Sequence, residues 1–376
     1  MKKQCIGAAG LFLLITAPAI PHAQEDSKTT ALQIEHDSTP AGTQPSAAEG
    51  DGLEEKLAAR VKFSGLVEVE AFAGKDFLKE KTSDVSLATV ELGLDAKISQ
   101  WVSAHVLALY EEGEEDDHLI IDEGTITLSD AEKTPFYLTV GKMYVPFGSF
   151  ASSMVSDPLT LELAETRDTA LLAGFDEAGW YGSLYTFNGE VDETGKDDTI
   201  NSFGANLGYK LEKDGWQLDL GAGWLNNLGN SNTIRDHIAT TSITVEGFAE
   251  ALALHGGFRC HGWSFMAEYI AALDSFQSGE VDFDGRGARP KAWQLEMDYT
   301  TEVSEREITL ALGYQRTEES LALGLPEHRY LASVGIGVYD HATLALEYRH
   351  DQDYATAQGG TDENAHQVVA QLAVEF

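Results

Sequence analysis

An alternation of apolar and polar residues with a period of two runs along the chain from Phe63 to its last residue. The closing segment 366–376, HQVVAQLAVEF, shows it in a simple form, with an apolar residue at every second position from Val368 and Phe376 as the final residue. Successive side chains of a β-strand point to opposite faces. The pattern therefore predicts strands that have one apolar and one more polar face.

Sixteen segments carry this pattern. They are 63–72, 85–98, 101–111, 119–129, 135–142, 169–175, 179–187, 202–211, 216–225, 246–259, 262–273, 291–302, 307–316, 329–339, 342–349 and 365–376. Several apolar faces begin and end on an aromatic residue, as the face from Trp216 to Trp224 does. Aromatic rings are favoured at the level of lipid headgroups. Sixteen strands enclose more space than side chains can fill. We therefore expect the apolar faces to meet lipid and the polar faces to line a wet lumen.

The connections between these segments alternate in length. The tight ones are 99–100, 130–134, 176–178, 212–215, 260–261, 303–306 and 340–341, and the longer ones are 73–84, 112–118, 143–168, 188–201, 226–245, 274–290, 317–328 and 350–364. A soluble sandwich shows no such alternation, and its strands average about five or six residues. The sequence predicts an all-β fold, a 16-stranded antiparallel transmembrane β-barrel with short periplasmic turns and long extracellular loops. The segment 365–376 should pair antiparallel with 63–72, so that no sheet edge remains.

The chain before Phe63 divides into three predicted segments. Residues 1–23 have two early lysines, an apolar run and small residues up to Ala23, which is typical of a secretory signal peptide. An anchoring helix is the alternative, but Pro18 interrupts the run, which is shorter than the roughly 20 residues of a spanning helix. Residues 24–50 read as a disordered periplasmic linker. Residues 51–62 read as a short capping or plug helix, or as the remnant of a coiled coil, and the barrel is expected over 63–376.

Charge and cysteine content narrow the classes of partner. The chain has 62 acidic and 25 basic residues, a formal net charge of -37. No basic stripe exists to meet phosphates along a nucleic acid, which excludes that partner. After signal removal only Cys260 remains, so no disulfide can form within the chain. The expected location is the bacterial outer membrane.

Charged residues recur on the polar faces of the predicted strands. The set expected to line the pore is Glu68, Glu91, Asp95, Lys97, Asp219, Lys210, Glu268, Glu296, Asp298, Arg329, Glu347 and Arg349. Acidic and basic groups in a pore give a transverse field where they face each other, and a preference for cations where the acids dominate.

The connection 143–168 follows the fifth predicted strand and is the candidate for a constriction inside the lumen. The residues assigned to this constriction loop are Lys142, Tyr144, Pro146, Phe147, Arg167 and Asp168. The alternative is an external loop that does not fold inward.

Two acidic runs, 111–118 and 190–198, could bind divalent cations through hard oxygen ligands, but acidic runs are more often solvated faces. No residue spacing typical of zinc binding or of a nucleophile elbow occurs. The sequence predicts no enzyme activity, no metal site and no cofactor.

Three stretches of the sequence resemble those of a known family. The first strand FSGLVEVEAFAG, the run VGKMYVPFGSF and the segment TRDTALLAGF, together with the signal peptide, the short helix and the terminal aromatic strand, resemble the LbtU-type siderophore porins. The resemblance spans roughly 63–376. It implies an outer-membrane barrel without a plug domain that admits a ferric siderophore. A ferric polycarboxylate is anionic, however, and the acidic polar faces do not favour an anion.

The sequence therefore predicts an outer-membrane porin for small solutes, by resemblance a ferric siderophore. The alternatives are a general or cation-leaning diffusion porin and, from another class, a structural or adhesive barrel. The expected partners are outer-membrane lipid and lipopolysaccharide, the solute, the barrel assembly machinery, and two further copies in a homotrimer.

Overall fold

A computed structural model of the protein describes residues 60–113, 118–191, 199–241, 245 and 247–376. The predicted signal peptide (1–23) and linker (24–50) lie outside the described residues. So does the predicted helix (51–62), except at its end, where Val61 and Lys62 form the start of the first strand rather than helix.

The described chain forms a closed barrel of sixteen strands, each antiparallel to its neighbours. The strands are β1 Val61–Lys75, β2 Lys81–Lys97, β3 Val102–Tyr110, β4 Ile120–Ser129, β5 Phe136–Tyr144, β6 Arg167–Glu177, β7 Trp180–Phe187, β8 Ser202–Lys213, β9 Trp216–Leu225, β10 Ala251–Cys260, β11 Trp263–Ala272, β12 Lys291–Val303, β13 Arg306–Glu318, β14 His328–Tyr339, β15 Ala342–Gln352 and β16 Asn364–Glu375. The predicted fold class and strand number are confirmed.

The barrel closes between its last and first strands. β16 pairs with β1 in a register that places Glu375 opposite Leu66 and His366 opposite Lys75. Beyond the ladder, the Gly65 amide donates to the Phe376 carbonyl (2.8 Å) and the Phe376 amide donates to the Gly65 carbonyl (3.0 Å). The Phe376 ring lies over Gly65, where a Cβ atom would come within 2.3 Å of it. The predicted pairing of these strands is confirmed, and no edge is left open.

Tight turns occupy one rim of the barrel. Five of the seven connections there are two residues long. In the turns Ala178-Gly179 and Ser304-Glu305 all four residues have positive φ, at 53°, 87°, 53° and 63°. Positive φ at both central residues is the geometry that suits the right-handed twist of a hairpin. These turns hold neighbouring strands in fixed register.

Connections at the opposite rim are longer, and several differ in length from the prediction. The connection predicted over 73–84 is only 76–80, because β1 and β2 continue pairing to Lys75 and Lys81. Polar residues extend the ladder beyond the apolar stretch, so the pattern marked the end of the apolar face and not of the strand. β10 begins at Ala251, whereas the pattern predicted 246.

Two of the long connections contain helices where the pattern indicated irregular loops. Helix α1 is Leu159–Ala164 and helix α2 is Asn232–Thr241. Short 3-10 helices cover Leu228–Asn230, Leu321–Leu323 and Thr356–Gln358, and a small hairpin pairs Asp282–Phe283 with Arg286–Gly287. No helix in the described part of the chain has the length and apolar character needed to cross a membrane.

The loops pack into an apolar cluster inside the long-loop end of the barrel. Ala251, Ile270 and Ala292 point inward from β10, β11 and β12, and none of them is exposed. They belong to one cluster with apolar residues from the connections, among them Phe147, Leu159, Leu163, Ile234, Phe276, Val281 and Leu325. The expectation that the whole inward face is wet is wrong in this sector, because apolar inward residues receive the loops.

Candidate functional site

The connection between β5 and β6, residues 145–166, lies against the inner wall of the barrel. Its backbone and side chains contact inward-facing residues of five consecutive strands, β11 to β15. Pro158 precedes helix α1, whose Leu159, Leu163 and Ala164 are fully buried in the apolar cluster. The loop therefore has an apolar side against other loops and a polar side on the wall.

Three wall carboxylates accept most of the hydrogen bonds that hold this loop. Glu268 on β11 accepts from the amides of Ser149 (2.6 Å) and Phe150 (3.1 Å) and from the Thr160 hydroxyl (2.7 Å). Glu296 on β12 accepts from the Ser153 amide (2.5 Å) and the Ser152 hydroxyl (2.8 Å).

Glu347 on β15 has the same role. It accepts from the amide of Val155 (2.6 Å) and the hydroxyl of Ser156 (2.5 Å). Each carboxyl group offers two oxygens that can accept from several loop donors at once. The path of the loop is thus set by the positions of wall acids.

An ion-pair network adds to this contact at the end of the loop. Arg329 on β14 contacts Glu162 of helix α1 (2.6 Å) and Asp351 of β15 (3.0 Å), and it also donates to the Asp157 carbonyl (3.1 Å). Arg349 contacts the other oxygen of Asp351 (3.3 Å). Arg329 is only 3% exposed. A buried guanidinium is tolerated when its nitrogens have acceptors, and each of the three nitrogens of Arg329 has at least one here.

The base of the loop carries a second polar cluster on β4, β5 and β6. Asp122 is buried and forms an ion pair with Arg167, and Tyr144 donates to the same carboxylate (3.2 Å). Lys142 donates to the Ile121 carbonyl (3.2 Å). The Asp168 carboxylate accepts from the Thr169 amide (2.6 Å).

The six residues assigned to the constriction loop therefore occupy three settings. Lys142 and Tyr144 belong to β5, and Arg167 and Asp168 begin β6. Pro146 is half-buried at the start of the loop, and Phe147 is buried in the apolar cluster. The loop itself is 145–166, shorter by two residues at each end than the predicted 143–168.

The residues assigned to the pore lining fall into two groups in the structure. Those buried beneath or beside the loop are Glu268, Glu296, Asp298, Arg329, Glu347 and Arg349, and Glu68 on β1 is also buried. Those that reach solvent inside the barrel are Glu91, Asp95, Lys97, Lys210 and Asp219. The first group holds the loop, whereas the second faces the remaining space.

Inward polar side chains of β7 to β10 form a further cluster that the sequence pattern did not indicate. The Tyr181 hydroxyl lies 2.9 Å from the Asp219 carboxylate and 3.1 Å from His255 Nε2, and Lys210 lies over the Tyr181 ring. A Cβ atom at Gly208 would come within 2.1 Å of that ring. The sequence does contain one sign of this cluster, which is an inward glycine next to an inward aromatic residue on the neighbouring strand.

Glu165 links the two inward connections. Its carbonyl accepts from the Asn232 amide (2.8 Å) and its carboxylate from Asn232 Nδ2 (3.0 Å) at the start of helix α2. Burial raises the pKa of Glu165 to about 7, and the negative charge of Asp122 adds to the shift. The folded state therefore holds this proton up to a higher pH than the unfolded chain does.

Glu165→Gln is expected to reduce the pH dependence of stability. Because the folded pKa is raised, ionisation of Glu165 costs stability as pH rises from its unfolded value of 4.5 to about 7, and the cost stays in place above that. Urea unfolding of the detergent-solubilised protein at about pH 5 and about pH 8 measures this. The fall in midpoint should be smaller in the variant than in the wild type and unchanged in the control Glu80→Gln, which alters an exposed carboxylate. An unchanged fall in Glu165→Gln would contradict the assignment.

Comparisons with known proteins agree with the barrel. No family model matches the chain. The chain is similar to a UPF0422 protein of Coxiella burnetii, with 28% identity over 361 residues that cover 94% of this chain and 76% of the relative. It is also similar to a UPF0422 protein of Legionella pneumophila strain Philadelphia 1, with 28% identity, covering 84% of this chain and 66% of the relative.

Solved structures of outer-membrane porins share the fold. OprB of Pseudomonas putida superposes with a TM-score of 0.59 at 11% identity, covering 87% of this chain and 97% of that one. The anion-selective porin of Comamonas acidovorans gives 0.58 at 10% identity, covering 84% and 99%. OmpT of Vibrio cholerae in its trimer form gives 0.51 at 12% identity, covering 84% and 99%. At these identities the likeness establishes the porin fold.

Proposed function

We propose that the chain is an outer-membrane porin through which small solutes diffuse. The observation that carries the proposal is the exposure of charged side chains that point into the closed barrel. The side chains of Asp95 and Lys210 are 58% and 55% exposed although both lie on inward faces. Both lie within three residues of the short-turn end of their strands, so the mouth of the barrel at this rim is open to water.

The loop 145–166 is proposed to narrow this passage. It crosses the interior along five strands and, with helix α2 and the apolar cluster, fills the sector next to β10, β11 and β12. The space proposed for solutes lies next to the solvent-exposed inward charges of β2, β8 and β9, such as Asp95, Lys210 and Asp219. This space is bordered by the cluster around Asp122 and Arg167 at the base of the loop.

The transported solute is proposed in two versions. The resemblance to LbtU-type porins supports a ferric siderophore. A specific observation favours a cation-leaning diffusion pore instead: Glu91 and Glu123 point inward without an ion pair to any described residue, whereas Arg167 is paired with Asp122. Unpaired acids attract cations into a narrow pore.

Planar-bilayer recordings of the refolded protein test this function. We expect single channels whose reversal potential in a salt gradient shows cation preference. The double variant Glu91→Gln with Glu123→Gln should lower that preference, while Glu302→Gln, at an exposed acid at the short-turn end of β12, should not. A ferric polycarboxylate siderophore that blocks the current would support the specific version.

Each outcome bears on a different version of the proposal. Absence of channels would contradict both porin versions and favour a structural or adhesive barrel. Cation-selective channels that the ferric siderophore does not affect would contradict the siderophore alone. Enzyme activity is not part of the proposal.

The location and the partners follow from the same proposal. Export by the segment 1–23, insertion by the barrel assembly machinery, contact with outer-membrane lipid and lipopolysaccharide, and a homotrimer are all proposed. The trimer form of Vibrio cholerae OmpT, which shares the fold, supports the last of these.

A further inference from the structure

An aromatic girdle follows the outward face of the barrel near its long-loop rim. The Phe203 ring on β8 lies 5.7 Å from that of Trp224 on β9. Farther along, the ring of Tyr314 on β13 lies 5.0 Å from those of Trp293 on β12 and Tyr330 on β14. Such girdles mark the level of lipid headgroups.

Where the barrel closes, the outward residues next to the girdle are basic and not aromatic. The residue opposite Tyr330 on β15 is His350, and the residue opposite His350 on β16 is His366. His366 lies opposite Lys75 on β1, which lies opposite Lys81 on β2. Four consecutive strands thus place basic side chains, side by side, in the cross-strand row that continues from the aromatic rings of the preceding strands. We refer to His350, His366, Lys75 and Lys81 as the basic row.

The outward orientation of the basic row follows from the residues below it on the same faces. Leu346 and Tyr348 on β15, Val368 and Leu372 on β16, and Val69 on β1 are all exposed apolar or aromatic residues. Inward neighbours on the same strands, such as Glu347 and Glu70, are buried. The basic row therefore stands directly above the lipid-facing wall.

The row contains like charges that the described chain does not neutralise. Directly opposed like charges in a sheet are destabilising. Lys75 and Lys81 oppose each other, and neither forms an ion pair with any residue in the described ranges. The nearby acid Glu363 is already paired with Lys79 (2.5 Å). Asp76 and Glu80 adjoin the two lysines in sequence but form no ion pair with them, so both positive charges are open to an anion from outside the chain.

The imidazole rings of the two histidines in the row contact each other. Their ring centroids are 4.6 Å apart and their Nδ1 atoms 3.1 Å apart, and the Tyr348 hydroxyl lies 2.7 Å from His366 Nδ1. The rings are therefore held in place next to Lys75. A phosphate carries several acceptor oxygens, which lysine and histidine donors match.

We propose that the basic row binds the phosphate of an outer-leaflet glycolipid headgroup. The inference rests on the proposed outer-membrane location, which puts this rim in the glycolipid leaflet. Charge complementarity and the position above the exposed apolar wall favour a lipid phosphate, because a bound lipid places its phosphate at the headgroup level while its chains cover the apolar wall below.

The test compares one double variant, which carries both Lys75→Gln and Lys81→Gln, with the wild type. Each full-length protein is reconstituted in phosphatidylcholine vesicles containing a small fraction of diphosphoryl lipid A, extracted with mild detergent and purified. Mass spectrometry then measures the retained lipid A. We expect the variant to retain severalfold less than wild type. The control double variant, Lys133→Gln with Lys213→Gln, removes two lysines that lie over tryptophan rings at the opposite rim and should retain as much as wild type.

Three results would overturn the inference. The wild type could retain dephosphorylated lipid A as well as it retains lipid A, or inorganic phosphate could fully displace the bound lipid A. In the third result, the double variant changes its oligomeric state without losing lipid. The last would identify the row as a contact between copies of the chain. Conductance recorded from the same preparations separates this inference from the proposed function, because channels without lipid binding leave the porin proposal in place.

Discussion

Deleting residues 149–163 is expected to raise single-channel conductance severalfold and to increase the preference for cations. The deletion removes the segment that crosses the interior, which widens the passage. It also removes the donors that Glu268, Glu296 and Glu347 now bind, such as the Ser149 and Val155 amides. These carboxylates would then be solvated in the lumen as free negative charges. Conductance and reversal potential in planar bilayers measure both effects.

A point variant gives a graded form of the same experiment. Glu347→Gln keeps the size of the side chain but replaces one acceptor oxygen by a donor that faces the Ser156 and Val155 donors. We expect a smaller rise in conductance with increased current noise, because the loop is held less firmly. Glu302→Gln serves as the control, since Glu302 is exposed at the short-turn end of β12. Unchanged conductance in the deletion would contradict the proposed constriction.

Arg329→Met is expected to lower the free energy of unfolding by about 3–5 kcal/mol, the usual cost of removing one partner from a buried ion pair. The substitution leaves Glu162 without its cation and Asp351 with Arg349 alone. Urea unfolding followed by heat-modifiable electrophoretic mobility measures the loss. Arg259→Met is the matched control, because Arg259 is exposed on an inward face of β10.

A second variant separates lost packing from uncompensated charge. Adding Glu162→Gln to Arg329→Met removes the carboxylate that the single variant leaves without its cation, while Asp351 stays paired with Arg349. Stability should then recover in part, since uncharged partners carry no unpaired charge. If the double variant is no more stable than the single one, the contact between Arg329 and Glu162 stabilises the fold by packing and not by ion pairing.

The barrel could be predicted because its signal is repeated along the chain. Every strand shows the same period of two, and in a closed barrel with an even number of strands the pairing of β16 with β1 is antiparallel. The ends of strands were less accurate. Lys75 and Lys81 continue the ladder without apolar residues, so the pattern ended early on both sides of that loop. Helix α2 was missed because it lies in a polar connection that was read only for its length.

The interior arrangement could be predicted only in part. The sequence indicated the loop after the fifth strand and the acids on polar faces, but not that they bind each other. Glu268 and its partner Ser149 are 119 positions apart, and the donor is a backbone amide, which no residue type identifies. The apolar inward face at Ala251 and Ala292 was also missed, because alanine is compatible with either face.

The way in which the wall holds the loop has a consequence for how selectivity can change. Amides of Ser149, Phe150, Ser153 and Val155 are among the main donors to the wall carboxylates. Every residue except proline supplies such an amide. Substitutions at these positions can therefore alter what a solute meets without moving the loop. The barrel acts as a fixed template, and we expect the solute preference to be adjustable by loop side chains alone while the acids of β11, β12 and β15 stay in place.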